Sequence, residues 1–230
     1  MAVFMCGRPE APPLYKGAFA DNSWDKIARA CQANEVPDTW LVGDSKSMTI
    51  NGTSYEVVII GKNHDTYSDG TGVAPLTFQL KNCYATNYAM HSSDDNSFGW
   101  TNCAMRKTSL PAILALFPDE VKNNIRQVNK LASKGYQQSA IDTSADFLFL
   151  LSEIEVLGSA VMSRPGEGRR YEYFTVQGRA AKTNSYGSIS WWVRSPRGES
   201  STQYCCINTT GGYDYSAAGT ARGVSPAFCF

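Results

Sequence analysis

Apolar residues at helical spacing predict one short helix near the start of the chain. The apolar face of that helix is formed by residues three or four positions apart: Trp24, Ile27, Ala28 and Cys31. Asp21, Asn22 or Ser23 can cap it, because their side-chain oxygens accept hydrogen bonds from free backbone N–H groups of a first turn. The preceding residues 1–20 are rich in proline, alanine and glycine, and they are predicted to form an extended arm for attachment.

Alternating residues after this helix predict antiparallel strands. Residues 47–50 and 55–60 flank Asn51 and Gly52. An Asn-Gly pair supplies the positive φ angles of a tight hairpin turn, so a β-hairpin is expected here. Residues 76–80 also alternate between apolar and polar side chains, and they predict a further strand.

The middle of the chain predicts helices and then a buried strand. Residues 111–117 favour a short helix that Pro118 ends. Asp119 then caps a longer predicted helix, whose apolar face is read from four residues: Val121, Ile125, Val128 and Leu131. The continuous apolar residues 147–151 favour a buried strand. With the hairpin, these elements predict one loop-rich α+β domain over residues 21–230, with mixed helices and antiparallel strands.

The residues before the C-terminus combine a polar segment with large apolar side chains. Between residues 183 and 220, 24 of 38 residues are Ser, Thr, Asn, Asp, Gly or Tyr, and no lysine follows Lys182. Tyrosine offers a large contact at low entropic cost while the small polar residues adapt, so this composition is typical of a binding surface. A β-rich subdomain with ordinary solvated loops is the alternative. Five apolar residues predict a fixed frame rather than a disordered tail: Trp191, Trp192, Val193, Ile207 and Phe228.

Residues 204–208 show how such a surface is expected to be built. Side chains alternate across a strand. If Cys205 and Ile207 face the core, then Tyr204, Cys206 and Asn208 face outward.

Composition and charge narrow the range of functions. Hydrophobic residues make up 43% of the chain, enough for a core, while charged residues make up only 18%. The 21 basic residues balance the 21 acidic residues, so nucleic acid is not the expected partner. No apolar run approaches the length of a membrane span, so no membrane insertion is expected. The first residues lack the basic and apolar parts of a signal peptide.

The spacing of the cysteines along the chain is not that of a metal-binding motif. No Cys-x-x-Cys pair occurs among the seven, so a zinc site has little support, and buried reduced thiols are the favoured interpretation. A strained bridge between Cys205 and Cys206 is a distant alternative.

Few residues are candidates for catalysis or metal binding. His64 and Asp65 could form a metal or acid–base pair with Asp69 nearby, but a loop braced by its own polar side chains is favoured. The run Asp94-Asp95-Asn96 could bind calcium through oxygen ligands, but it lacks the spacing of a calcium loop, which favours a solvated turn.

A pair of glutamates offers one more catalytic possibility. Glu153 and Glu155 would share one face if they lay in a strand, which suits acid–base chemistry, but pairing with Arg106 or Arg194 is equally supported. No glycine-rich phosphate motif is complete. The residues therefore predict a protein that is not an enzyme and that uses no metal or cofactor.

Several short motifs resemble a domain that is common in gut bacterial prophages and cell-surface proteins. The resemblance runs from about Trp24 to Phe230. It is carried by these segments: Val42-Gly43-Asp44, Ile59-Ile60-Gly61 with His64-Asp65, Gly99-Trp100, Met105-Arg106, Leu148-Phe149-Leu150-Leu151-Ser152-Glu153, Gly166-Glu167-Gly168, Trp191-Trp192-Val193-Arg194-Ser195-Pro196 and Gly223-Val224-Ser225-Pro226-Ala227-Phe228-Cys229-Phe230.

That domain is similar to the C-type-lectin-like fold of formylglycine-generating-enzyme relatives and of variable proteins made by diversity-generating retroelements. The resemblance implies a C-type-lectin-like, formylglycine-generating-enzyme-like fold whose scaffold holds a variable face within residues 183–222. The sugar-binding motifs of calcium-dependent lectins are absent from the sequence. The contact or variable positions expected on this face are Ser190, Arg197, Glu199, Gln203, Tyr204, Cys206, Asn208, Thr210, Tyr213, Tyr215 and Thr220.

The same resemblance implies a function and a set of partners. The expected function is that of a phage or prophage receptor-binding protein, an adhesin on the virion surface that is assembled in the bacterial cytoplasm. Its partners would be a host cell-surface protein or glycan, other virion subunits contacted through the arm, and further copies of the chain in a homotrimer. A decoration or baseplate protein without a variable face is the first alternative. An enzyme of the formylglycine-generating type is a weaker one.

Overall fold

The first helix and the first hairpin lie where the sequence predicts them. The structure is a computed structural model, and it describes Tyr15 and residues 17–230. Helix α1 spans Trp24–Gln32, and the Ser23 side chain caps it by accepting a hydrogen bond from the Lys26 backbone N–H. Strands β1 (Ser45–Ile50) and β2 (Thr53–Lys62) are joined by Asn51 and Gly52. These two residues have φ angles of 47° and 77°, which confirms the predicted tight turn.

A four-stranded antiparallel sheet forms the centre of the domain. Its order is β1-β2-β3-β11, where β3 is Leu76–Leu80 and β11 is Ala227–Cys229. The end of the chain is therefore hydrogen-bonded to β3, with Phe228 opposite Phe78. Their rings stack with centroids 5.3 Å apart, and Trp24 packs edge-on against Phe78 from α1. Burial of these aromatic rings is a main source of stability for the sheet.

A three-stranded antiparallel sheet carries the polar C-terminal segment. It contains β8 (Trp191–Pro196), β9 (Gln203–Ile207) and β10 (Tyr213–Ala217). Its order is β10-β9-β8, so β9 is the central strand and β10 lies at one edge.

The other elements are short and connect or cover these sheets. Two hairpins are formed by β4 (Val128–Ser133) with β5 (Ile141–Asp146), and by β6 (Lys182–Asn184) with β7 (Gly187–Ile189). The remaining helices are α2 (Gly99–Asn102), α3 (Leu110–Ala115), α4 (Asp119–Lys122) and α5 (Glu153–Leu157). A π-helical turn at Met105–Ser109 precedes α3, and 3₁₀ turns occur at Phe19–Asp21 and Glu172–Thr175. This content confirms the α+β class.

The long helix predicted after Asp119 is wrong. Helix α4 ends at Lys122, and Val128 and Leu131 lie in β4 instead. Alternate residues of β4 are buried, which is the period of a strand. One of those buried residues is Lys130, so the alternation does not appear as a hydrophobic pattern in the sequence.

The buried strand predicted at residues 147–151 is also wrong. Residues 148–151 are buried, as expected. However, they form no regular strand: Phe149 makes an isolated pair of backbone bonds with Ala227, and Phe147 is 45% exposed. A continuous apolar run reports burial but not the backbone conformation.

The predicted N-terminal arm falls largely outside the described residues, which exclude residues 1–14 and 16. Within the described part, Phe19 is buried in the core against Trp40. All six cysteines that the structure describes are buried free thiols; Cys6 lies outside the described residues. The described helices include none that is both long and apolar enough to cross a membrane.

Candidate functional site

The paired tryptophans anchor the terminal sheet, as predicted. Trp191 and Trp192 are fully buried in β8, and Phe228 is fully buried in β11. Each indole N–H also has a partner: Trp191 donates to the Ala180 carbonyl at 2.9 Å, and Trp192 donates to the Tyr88 carbonyl at 2.8 Å. The frame that the sequence predicts around the polar segment is confirmed.

The predicted contact residues differ in their exposure. Four of them are exposed: Glu199, Thr210, Tyr213 and Tyr215. Five are half-buried: Ser190, Arg197, Gln203, Asn208 and Thr220. Two are buried: Tyr204 and Cys206.

The outward orientation predicted for Tyr204 and Cys206 is wrong. Both lie in β9, and the Tyr204 hydroxyl donates a hydrogen bond to the Gly99 carbonyl at 2.8 Å. Burial raises the pKa of the Cys206 thiol to about 12. Side chains do alternate along β9, but it is the central strand and both of its faces are covered, so Cys205 and Ile207 are buried as well.

Four of the predicted residues form a cluster at the edge of the terminal sheet, which we call the β10 cluster: Arg197, Gln203, Tyr213 and Tyr215. Tyr213 and Tyr215 lie two residues apart on β10 and are 51% and 38% exposed. The Arg197 guanidinium lies 3.7 Å from the centre of the Tyr215 ring and also donates a hydrogen bond to the Gln203 side chain. The cluster therefore presents two aromatic rings and a cation together.

The loop before β10 is held by its own asparagine. The Asn208 side-chain oxygen accepts hydrogen bonds from the backbone N–H groups of Thr210 and Gly212, both at 2.9 Å, and from the Thr210 hydroxyl at 2.8 Å. Asn208 and Thr210 thus fix the loop beside Tyr213.

The remaining predicted contact residues lie apart from the cluster. Glu199 forms an ion pair with Arg164 at 3.0 Å, and the Ser190 carbonyl accepts a hydrogen bond from the Gly223 N–H. The structure therefore gathers some, but not all, of the predicted positions.

Asn96 is a structural residue that the sequence did not identify. It was expected within a solvated turn, yet it is fully buried. Its amide donates to the carbonyls of Arg197, Ser200 and Gln203 at 3.1, 2.6 and 2.8 Å. It thereby fixes the loop between β8 and β9, on which Arg197 lies. Asp95 does behave as predicted, since it accepts a hydrogen bond from the Ser97 backbone N–H.

A cavity of about 550 Å³ lies elsewhere in the domain, between the residue 64–66 loop, the β4–β5 hairpin and the residue 166–169 loop. Of its lining, the sequence identified only His64, Asp65 and Glu155 as candidate functional residues. The residues that line it are His64, Asp65, Thr66, Asn129, Lys130, Leu131, Thr143, Glu155, Gly166, Gly168 and Arg169.

Buried ion pairs form the floor of this cavity. The Lys130 ammonium lies 2.7 Å from an Asp65 oxygen and 2.8 Å from a Glu155 oxygen. Arg194 binds both oxygens of Glu155, at 2.6 and 2.9 Å. Two cations thus face two carboxylates, and the pairing of Arg194 with this glutamate is confirmed. The other candidate, Arg106, pairs instead with Asp146.

These contacts set the ionisation of the floor. Burial favours a raised pKa for Asp65, but the Lys130 ammonium and the His64 contact outweigh burial and hold the pKa well below its usual value. For Glu155, burial is outweighed in the same way by Arg194 and Lys130, so its pKa is also lowered. Burial raises the pKa of Tyr171 well above its ordinary value. At neutral pH the carboxylates are ionised and the phenol is protonated.

His64 and Asp65 do not form the loop that the sequence favoured, because Asp65 reaches across the fold to Lys130. The His64 ring stacks on Tyr171 at 3.7 Å, and its Nε2 lies 3.1 Å from the Arg169 carbonyl. Asp69 lies apart from them and binds Arg126. Within the described residues, no group of three or more His, Cys, Asp or Glu side chains is arranged to hold a metal ion.

The two glutamates of α5 do not face each other as a catalytic pair. They lie in a helix rather than a strand. The Glu153 carboxylate accepts hydrogen bonds from the backbone N–H groups of Val161, Met162 and Ser163, at 2.9 Å for each to Oε2. Glu153 therefore fixes a loop, whereas Glu155 belongs to the cavity floor.

Comparison with known proteins identifies the family but offers no relative of established activity. No curated protein and no solved structure matches the chain. A family model described as a domain of unknown function (DUF6273) matches residues 76–230, which include the terminal sheet and most of the cavity lining. Because that match covers more than half of the chain, the protein belongs to the DUF6273 family.

Proposed function

We propose that this protein is a non-enzymatic binding protein that contacts its partner through the β10 cluster. One observation carries the proposal: Tyr213 and Tyr215 are exposed, whereas the aromatic residues of the neighbouring strands, Trp191, Trp192 and Tyr204, are fully buried. Exposed tyrosines grouped on one strand of an otherwise well-packed sheet are typical of a surface that binds another molecule.

The chemistry of the β10 cluster suits recognition of a partner surface. Tyrosine and arginine contribute strongly to interface energies, because each combines a large contact area with hydrogen-bonding groups. Arg197 already stacks on Tyr215, so less side-chain freedom remains to be lost when a partner binds.

Rigidity of the surrounding loops also supports binding. Asn96 fixes the loop before β9, and Asn208 fixes the loop before β10. Both sets of hydrogen bonds exist without a partner, so the surface is preorganised and little backbone entropy is lost on association.

The carboxyl groups in and near the cavity floor do not suit acid–base catalysis, which favours a binding role for them. General acid–base chemistry at neutral pH needs a group whose pKa lies near 7 and which can reach a substrate. Asp65 and Glu155 have lowered pKa values and are already bound to cations. Burial raises the pKa of Glu167, but that carboxyl is bound by Ser133 and Ser195 and does not line the cavity.

The biological setting in this proposal comes from the motif resemblance. It comprises a C-type-lectin-like scaffold, display on a phage or prophage particle, and a host cell-surface protein or glycan as the partner. The motif segments meet in the folded chain, which supports a shared scaffold: Arg194 donates hydrogen bonds to the carbonyls of Leu150 and Glu167. Variation within residues 183–222, attachment through the N-terminal arm and assembly as a homotrimer belong to the same proposal.

A cell-binding assay tests the function. Fluorescently labelled full-length protein is added to intact cells of a panel of gut bacterial strains, and bound fluorescence is measured. We expect saturable binding to at least one strain. Replacing both tyrosines, Tyr213→Ala with Tyr215→Ala, should weaken it at least about tenfold, since each is an exposed aromatic contact.

The matched control replaces an exposed apolar residue outside the terminal sheet. Leu116 is 43% exposed, between the exposures of the two tyrosines, so Leu116→Ala removes a similar surface group. This variant should bind as the wild type does. Absence of binding to every strain, or equal binding by the double variant and the wild type, would rule the proposal out.

A further inference from the structure

The cavity above Lys130 has the size and the walls of a small-molecule site. Its volume of about 550 Å³ falls within the range of ligand pockets in proteins. Its walls come from loops distant in sequence and from the β4–β5 hairpin, so the fold holds them in place. It shares no residue with the β10 cluster.

Charge at the cavity is balanced at the floor and positive at the rim. Asp65 and Glu155 are matched by Lys130 and Arg194, so the floor carries no net charge. Arg169 lines the cavity and is exposed. Among the described residues it has no carboxylate partner, and its Nη2 donates only to backbone carbonyls, at 3.2 and 3.5 Å. Its charge is therefore available to an anionic ligand.

The loop beside Arg169 offers backbone donors as well. Gly166 and Gly168 line the cavity, and both have positive φ angles, 98° and 112°. In the part of the chain that the structure describes, the N–H groups of Gly166, Gly168 and Arg169 make no hydrogen bond. Gly168 and Arg169 are adjacent, and adjacent free N–H groups in a loop are a common cradle for an anion. A side chain at position 168 would not fit, because its Cβ would lie 2.9 Å from a Glu155 oxygen.

The opposite wall offers groups that suit hydroxyls. The side chains of Thr66, Asn129 and Thr143 line the cavity, and none of them makes a hydrogen bond with another described residue. His64 adds a buried ring nitrogen, Nδ1, that makes no hydrogen bond within the described residues and lies 3.6 Å from an Asp65 oxygen. Thr66 and Thr143 are exposed and Asn129 is half-buried, so these side chains are free to form hydrogen bonds with polar groups from outside the protein.

We infer that this cavity binds a small hydroxylated molecule that carries an oxyanion. Arg169 and the residue 166–168 loop hold the oxyanion at the rim. Thr66, Asn129 and Thr143 bind the hydroxyl groups. The site is distinct from the β10 cluster and does not depend on the proposed function.

Calorimetric titration of the full-length protein with three probes tests the inference. The probes are glucuronate, which carries a carboxylate and hydroxyls, inorganic phosphate, which carries only the oxyanion, and glucose, which carries only hydroxyls. We expect glucuronate to bind most tightly, in the millimolar range or better, and glucose to bind at least about tenfold more weakly, since a charge-assisted hydrogen bond is lost. Phosphate that binds more tightly than glucuronate would assign the oxyanion to a phosphate group.

Two arginine variants make the test specific. Arg169→Gln should weaken glucuronate binding at least about tenfold. Arg29→Gln is the matched control, because Arg29 is also exposed but lies on α1 and outside the cavity lining. Both variants should keep the wild-type melting temperature. Failure of all three probes to bind, equal affinity for glucose and glucuronate, or equal affinity in the two variants would overturn the inference.

Discussion

At the scale of single residues, two buried positions are occupied by lysine, where a simple hydrophobic pattern would have an apolar residue. Lys130 and Lys182 are both buried, yet their surroundings differ. Lys130 lies between two carboxylates, whereas Lys182 donates only to the carbonyls of Leu80 and Lys81, at 3.0 and 2.9 Å. A buried ammonium is tolerated only when its surroundings offset the loss of water, so the two residues should respond differently to change.

Removing the ammonium of Lys130 should destabilise the domain strongly. Lys130→Met keeps most of the length of the side chain but removes the buried positive charge that Asp65 and Glu155 both contact. We expect a loss of about 3–5 kcal/mol in the free energy of unfolding, measured by urea denaturation. Lys134→Met is the control, because Lys134 is 48% exposed in its pair with Asp142 and should cost less than about 1 kcal/mol. Equal losses in the two variants would contradict the importance of the buried pairs.

Lys182 should give the protein a rise in stability at alkaline pH. Burial lowers its pKa from 10.5 to about 8. Between these values the unfolded chain holds the proton and the folded chain does not, so the free energy of unfolding increases with pH across this window. Lys182→Met lacks this titration. The difference in unfolding free energy between the wild type and Lys182→Met should therefore increase by roughly 2–3 kcal/mol between pH 8 and pH 10.5.

Comparing these two proteins isolates the lysine, because the thiols and phenols titrate in both. Urea denaturation at several pH values provides the measurement. Lys26→Met, a change at an exposed lysine of α1, should leave the pH profile of the wild type unaltered. A difference between wild type and Lys182→Met that stays flat with pH would contradict the lowered pKa.

At the scale of secondary-structure elements, the sequence predicted an element correctly where the residues of that element alone determine its backbone conformation. Asn51 and Gly52 predicted the first hairpin because their φ angles are a property of the turn itself. The β4 strand was mistaken for a helix because its pairing with β5 and the burial of Lys130 come from the rest of the fold. The outward orientation of Tyr204 failed for a similar reason, since coverage of the second face of β9 is a tertiary property.

In the terminal sheet, some residues should stabilise the fold and others should contact a partner. Trp191→Ala removes a fully buried indole and should cost about 3–5 kcal/mol of unfolding free energy. Tyr213→Ala removes a ring that is 51% exposed, so stability should change by less than about 1 kcal/mol. Thermal and urea denaturation of both variants provide the measurement. A larger loss for Tyr213→Ala than for Trp191→Ala would contradict the division into frame and surface.

At the scale of the whole molecule, the terminal surface could be anticipated from the sequence but the cavity could not. The polar, tyrosine-bearing composition of residues 183–220 lies in one continuous segment, so it is visible without a structure. The cavity floor joins Asp65 to Lys130 across 65 positions and Glu155 to Arg194 across 39 positions. The sequence offered Arg194 as one possible partner of the glutamates, but nothing local indicates that Asp65 meets Lys130, so His64 and Asp65 were identified without that partner.

The proposed variable face makes a prediction about the genes of sibling prophages. Substitutions should concentrate within residues 183–222 and fall on its exposed positions, such as Tyr213. They should avoid Tyr204 and Cys206, because changes at fully packed positions create cavities or strain. Exposed residues outside the segment provide the internal control: Val73, 46% exposed, should vary far less than Tyr213 if the variation is directed to the face. Sequencing the gene across siblings measures this, and substitutions spread evenly over exposed positions of the whole chain would refute a dedicated variable face.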